Sequence, residues 1–173
     1  MDLPKDSSQF LEISSEELSL PQPAIVDLCR ATLNKGAEFR FKASGFSMLP
    51  CIRSGDILTV SSITGIPIKF ADIVAFTHPI SKKLIVHRVL YKKKCAYLIK
   101  GDNIHIADGF IPSNDIIGRI TKVERGSREI RLGMGPERML VCFLSFLRMF
   151  TLLSICLSGM RRMFKTKSPW LGR

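Results

Sequence analysis

The chain has 173 residues, enough for one domain with appendages and a sizeable buried core. Its five cysteines (Cys29, Cys51, Cys95, Cys142 and Cys156) are odd in number and scattered, with no Cys-x-x-Cys pair, which argues against a disulfide framework or a zinc centre. Residues 1–30 hold two basic and six acidic side chains, so the net +11 becomes +15 over the other 143; this suits an anionic membrane surface or plain solubility, and no recognition-helix or aromatic-interleaved basic pattern points to nucleic acid.

Met1-Asp2-Leu3-Pro4-Lys5-Asp6 is acidic and polar, with none of the apolar run of a signal peptide behind it. Residues 1–22 read as a flexible acidic arm ending in Pro21-Gln22-Pro23. Pro23 to Asn34 then reads as a short helix, with Ile25, Leu28, Cys29 and Leu33 near one face and Gly36 placed for a left-handed cap. Glu38 to Ala43 alternates with period two, the pattern of a half-buried strand.

Short β runs follow at Asp56 to Val60, Asp72 to Phe76, Leu84 to Tyr91, Ala96 to Lys100, Ile116 to Glu124 and Glu129 to Leu132. Ser54-Gly55, Gly65-Ile66-Pro67, His78-Pro79 and Asp108-Gly109 punctuate them. Strands without intervening helices predict an all-β barrel or sandwich, here over residues 23–132. Gly133 to Pro136 closes that region.

Residues 137–165 read as a hydrophobic, membrane-associated helix and 166–173 as a basic tail. The 22 residues from Met139 to Met160 would extend about 33 Å as a helix, the thickness of a bilayer core. Eleven of them are Leu, Ile, Val or Phe, which together favour insertion by roughly 3 to 7 kcal/mol, against about 3 kcal/mol for Arg148 near the centre. Arg148, Thr151, Ser154 and Ser158 fall within roughly 120° of arc, a polar stripe that equally suits a helix lying in the interface. Arg161, Arg162, Lys165 and Lys167 follow, placed for anionic headgroups.

Three stations carry chemistry. Gly45-Phe46-Ser47-Met48-Leu49-Pro50 offers a hydroxyl after a glycine that lets the loop turn tightly, and Arg53-Ser54-Gly55-Asp56 follows it. Val86-His87-Arg88-Val89 places an imidazole within a strand; a strand histidine is ordinarily structural, but imidazole is also the side chain best suited to shuttle a serine proton. Lys100-Gly101-Asp102-Asn103 and then Asp108 supply carboxylates in a loop, a context that Asp and Asn favour for turns alone.

In this order the three stations resemble signal peptidase I, and most closely its histidine-base branch, of the endoplasmic-reticulum and archaeal kind. The resemblance covers roughly residues 38–125 and takes in Asp72-Ile73-Val74-Ala75-Phe76 and Ile117-Gly118-Arg119-Ile120. It implies the family's all-β core, here joined to the short N-terminal helix and the hydrophobic C-terminal helix read above, and a serine endopeptidase cutting near a membrane after small side chains. Ser47 would be the nucleophile, His87 the general base and Asp108 the acid that orients it, with Asp102 and Gly45 in supporting roles. A peptide or preprotein would be the substrate, membrane lipid a partner through the C-terminal helix, and no cofactor or metal is implied. Ala71 stands where the family has glycine, and Cys51 where a small hydroxyl residue is common. Gly45 has no hydroxyl for the oxyanion, so the second donor would be backbone or another side chain, of which Ser44 is a weak candidate. Two alternatives stay open: a self-cleaving repressor-type peptidase, which uses a lysine base and carries a DNA-binding domain, and a catalytically inactive relative serving as a binding or maturation partner.

Overall fold

Pro23 stands in the first turn of helix α1 (Gln22–Asn34), where its missing N–H costs nothing, and Gly36 at φ 78° turns the chain out after Lys35. Val26, Cys29 and Leu33 recur at helical spacing and are buried, so one stripe of α1 seals the sheet. The computed structural model describes residues 12–13, 21–131, 133–144 and 147.

Among the described residues, nine strands form one sheet: β1 (Glu12–Ile13), β2 (Phe39–Lys42), β3 (Ile57–Ser61), β4 (Ile73–Thr77), β5 (Leu84–Lys93), β6 (Ala96–Lys100), β7 (Gly109–Pro112), β8 (Ile116–Arg125) and β9 (Arg128–Glu129). Their order is β1-β2-β3-β8-β4-β5-β6-β7, with β9 paired to β8. Every pairing is antiparallel except β1 with β2. The fold is therefore mainly β, as the strand pattern predicts.

β4 shows how the sheet divides the interior. Ile73, Val74, Ala75 and Phe76 are all buried, yet Ile73 and Ala75 join one apolar cluster and Val74 and Phe76 another. Alternate side chains of one strand thus feed two cores on opposite faces. The first core holds α1, β2, β3 and the residues just after Ser47; the second lies among β4, β5, β6 and β7.

Four expectations need adjustment. Within the arm 1–22, Glu12–Ile13 is a strand, paired with Arg40 and Phe41 of β2. β7 is not among the expected strands because Asp108-Gly109 reads as a turn; Pro112 within it is tolerated because β7 is an edge strand bonded only to β6. Of the run expected over Glu129 to Leu132, Glu129 lies in β9 and residues 130 and 131 are not in a strand. Of the expected hydrophobic helix over 137–165, residues 138–144 are helical. Most of the remainder, including the Arg148 stripe and the tail 166–173, lies outside the described residues. Among those described, no helix is long and apolar enough to cross a membrane.

Candidate active site

Ser47 sits on a loop stapled at its base. The Ala43 N–H donates to the Asp56 carbonyl at 2.7 Å, and the Gly55 N–H donates to the Ala43 carbonyl at 2.9 Å. Asp56 then locks the return strand: it accepts from the Arg53 N–H at 2.8 Å and from Nε and Nη2 of Arg125, both at 2.8 Å. Burial opposes the charge of Asp56, but the Arg125 guanidinium and the Arg53 N–H outweigh it and hold its carboxyl below the usual range. Gly45 adopts φ 95°, a left-handed conformation that a side-chain-bearing residue resists, so the absence of a hydroxyl there matches the backbone the loop requires. Met48, Cys51 and Ile52 are buried in the first core, which anchors the turn directly after Ser47.

His87 and Arg88 are neighbours on β5, so their side chains leave opposite faces. His87 is almost fully buried, and its Nδ1 lies 2.6 Å from Asp108 Oδ2. A carboxylate only accepts, so this bond places the proton on Nδ1 and leaves Nε2 with its lone pair. Asp108 reaches the histidine because its N–H donates to the Ile99 carbonyl at 2.9 Å, returning the loop to β6 beside β5.

Gly101 marks where the stations meet. A Cβ there would come within 2.9 Å of His87 Nε2 and 2.7 Å of the Ser47 carbonyl oxygen. The same carbonyl accepts from the Asn103 N–H at 2.7 Å, and Asn103 Nδ2 donates to the Phe46 carbonyl at 3.1 Å. The turn after β6 therefore carries the serine loop against the imidazole. Asp102 lies elsewhere, bonded to Arg88 on the far side of that turn.

Ser47, His87 and Asp108 line one cleft of about 490 Å³. Its walls are mainly apolar: Ile25 and Leu28 of α1, Phe39 and Phe41 of β2, and Met48, Leu84 and Val86. Ser44 and Gly45 also line it. Cys51 does not compete with Ser47 as a nucleophile. It is buried, and burial, with Asp102 beside it, pushes its thiol up to about 11. Among the described residues, no group of His, Cys, Asp or Glu is arranged to hold a metal ion.

A family model for Peptidase S24-like proteins matches residues 9–121, well over half of the chain, from ahead of β1 into β8. The chain belongs to the Peptidase S24-like family. Serine-type peptidase chemistry is thus the activity class of this fold, and the sheet, loop and cleft above are its S24-like core. No curated protein matches the chain.

Two contributors to this S24-like site were not singled out from sequence. Gly101 was read only as part of a turn; its signal was a glycine beside two polar residues where backbone and side chains approach closely. Arg88 was read only as a motif neighbour of His87. Gly101→Ala is expected to lower kcat/KM about 100-fold, because the added methyl must push either the imidazole or the Ser47 loop aside. Steady-state hydrolysis of a peptide by the folded variant checks this; activity within twofold of the parent would show that the close approach is not needed.

Proposed function

We propose that this Peptidase S24-like protein is a signal-peptidase-like serine endopeptidase of the histidine-base kind. The observation that carries the reading is the buried His87 bonded to Asp108 at 2.6 Å, with its other nitrogen beside Gly101 and the serine loop. Ser47 Oγ attacks the scissile carbonyl while His87 Nε2 takes its proton. Asp108 holds the tautomer and stabilises the imidazolium, and the Ser47 N–H donates to the oxyanion. His87 returns the proton to the leaving amine, and water activated by the same base releases the acyl group.

A lysine base has less support. Lys82 and Lys83 are exposed on the turn before β5, and the buried Lys100 donates through Nζ to the Gly101 carbonyl at 3.1 Å. The discriminating experiment treats the full-length protein with a fluorophosphonate and maps the adduct by mass spectrometry. Labelling at Ser47 that survives Lys82→Ala and Lys83→Ala but is lost in His87→Ala is expected. Labelling that survives His87→Ala and is lost with either lysine substitution would assign a repressor-type base instead. No labelling of the parent protein would favour the inactive-partner reading.

A membrane-proximal substrate accords with the surface. Each loop bordering the cleft exposes a large apolar side chain: Phe46 at 67%, Ile80 at 87% and Ile106 at 81%. Met139, Leu140, Phe143 and Leu144 are exposed on the helical residues 138–144, ahead of the basic cluster that begins at Arg161. The protein is expected to co-sediment with vesicles containing anionic lipid and to be released by high salt, because headgroup attraction is screened. Retention after salt, with release only by detergent, would indicate a spanning segment.

A further inference from the structure

Arg88 is completely buried, and a buried guanidinium has five N–H donors to satisfy. Nε and Nη2 donate to the two oxygens of Asp102 at 2.8 and 2.7 Å. Nη2 also reaches Cys51 Sγ at 3.7 Å, and Nη1 donates to the Ala71 carbonyl at 2.9 Å. The remaining acceptor is the Gly133 carbonyl, at 2.9 Å from Nη1, supplied from beyond the β region. Burial works against the charge of Arg88, but the bonds to Asp102 outweigh it and keep the guanidinium fully protonated.

Gly133 is held in place by its own segment. Glu137 Oε1 accepts from the Gly133 N–H at 3.0 Å and the Gly135 N–H at 3.1 Å, while Arg138 Nη1 donates to Asp72 Oδ1 at 2.9 Å. The N–H of Glu137 itself, with those of Gly135 and Gly133, holds the Glu137 carboxyl below its usual range. Gly133 adopts φ 79°, and a Cβ there would collide with Cys51 Sγ and lie 2.9 Å from Arg88 Nη2. Only glycine fits this position without displacing the guanidinium.

We infer that the segment 133–138 is a working part of the active-site scaffold, acting through Arg88: Gly133 and Glu137 are positioning residues for His87 and Ser47. The path is short. Arg88 holds Asp102, Asp102 follows Gly101, and Gly101 packs against both His87 Nε2 and the Ser47 carbonyl. Removing the Gly133 carbonyl leaves a buried charged donor unpaired, and the guanidinium must shift, carrying Asp102 and the turn with it. This rests on the peptidase reading of the cleft only for its kinetic readout.

The test uses Gly133→Ala and Glu137→Ala in the full chain, with Glu129→Ala on the exposed β9 as control. Fluorophosphonate labelling of Ser47 is expected to slow about tenfold in Gly133→Ala and about threefold in Glu137→Ala. Because labelling alone depends on the nucleophile assignment, the second readout is the Nδ1 proton resonance of His87 in histidine-labelled protein, read by NMR. Both variants are expected to move or broaden it, and Glu129→Ala to leave it in place. An unchanged His87 resonance in both folded variants overturns the inference. If the parent protein is not labelled at all, the peptidase reading fails, while the resonance still decides whether segment 133–138 is coupled to His87.

Discussion

Ser47→Ala and His87→Ala are each expected to lower kcat by on the order of 10⁶-fold, and the double variant to be no worse than either alone. In the proposed mechanism the two act as one unit: without Nε2 to take the proton, the Ser47 hydroxyl would be a poor nucleophile, and without Oγ the imidazole would have nothing to activate. Structural damage is not the cause of the expected loss. Ser47 is partly exposed at the cleft, and truncation at His87 leaves the β4–β5 ladder, where Val74 faces His87, intact in its backbone bonds. Thermal melts should therefore show a folded domain in all three variants. Losses that add in the double variant, or a Ser47→Ala protein that still cleaves peptide, would mean that the two do not share a proton-transfer step.

Asp108→Asn carries the second largest expected effect, about 10⁴-fold in kcat with KM little changed. The carboxylate can only accept, so at 2.6 Å it fixes the proton on Nδ1 of His87. An asparagine amide can instead donate to Nδ1, which places the ring proton on Nε2 and blocks acceptance from Ser47. The substitution is nearly isosteric, so the loop over residues 103–108 should keep its path, and the apolar walls of the cleft are untouched. Asp102→Asn provides the contrast. That carboxylate faces Arg88 within the protein, and its loss should show first as destabilisation, because a buried guanidinium then faces a neutral partner. If Asp108→Asn retains activity within tenfold while Asp102→Asn abolishes it in a folded protein, the orienting role belongs to the other carboxylate.

Much of the fold was legible along the chain because it rests on local rules. Period-two alternation located β2, the short β run Asp72 to Phe76 located β4, the run Ala96 to Lys100 matched β6 residue for residue, and Gly36 ended α1 in the left-handed conformation that glycine favours. Ala71 stands where signal peptidase I, which the chain resembles, has glycine, and its φ of 67° gives the physical reason. β1 and β7 were not legible. The first is two residues in an acidic segment and exists only through pairing with β2; the second is an edge strand framed by glycine and proline.

What the sequence by itself determined is the order of the hydroxyl, imidazole and carboxylate stations and the local turns that carry them, because residue type, glycine placement and short-range periodicity depend only on neighbours. The tertiary structure supplied the contacts that bring each carboxylate to its partner: the antiparallel register Arg88↔Lys100 between β5 and β6 sets Asp102 beside Arg88, and the bond from Asp108 to Ile99 brings Asp108 back to His87. It also decided that Gly133, 45 residues beyond Arg88, completes the shell of a buried guanidinium behind the site. Such partners are chosen by the need to satisfy every buried donor, and that need exists only once the sheet has closed around it.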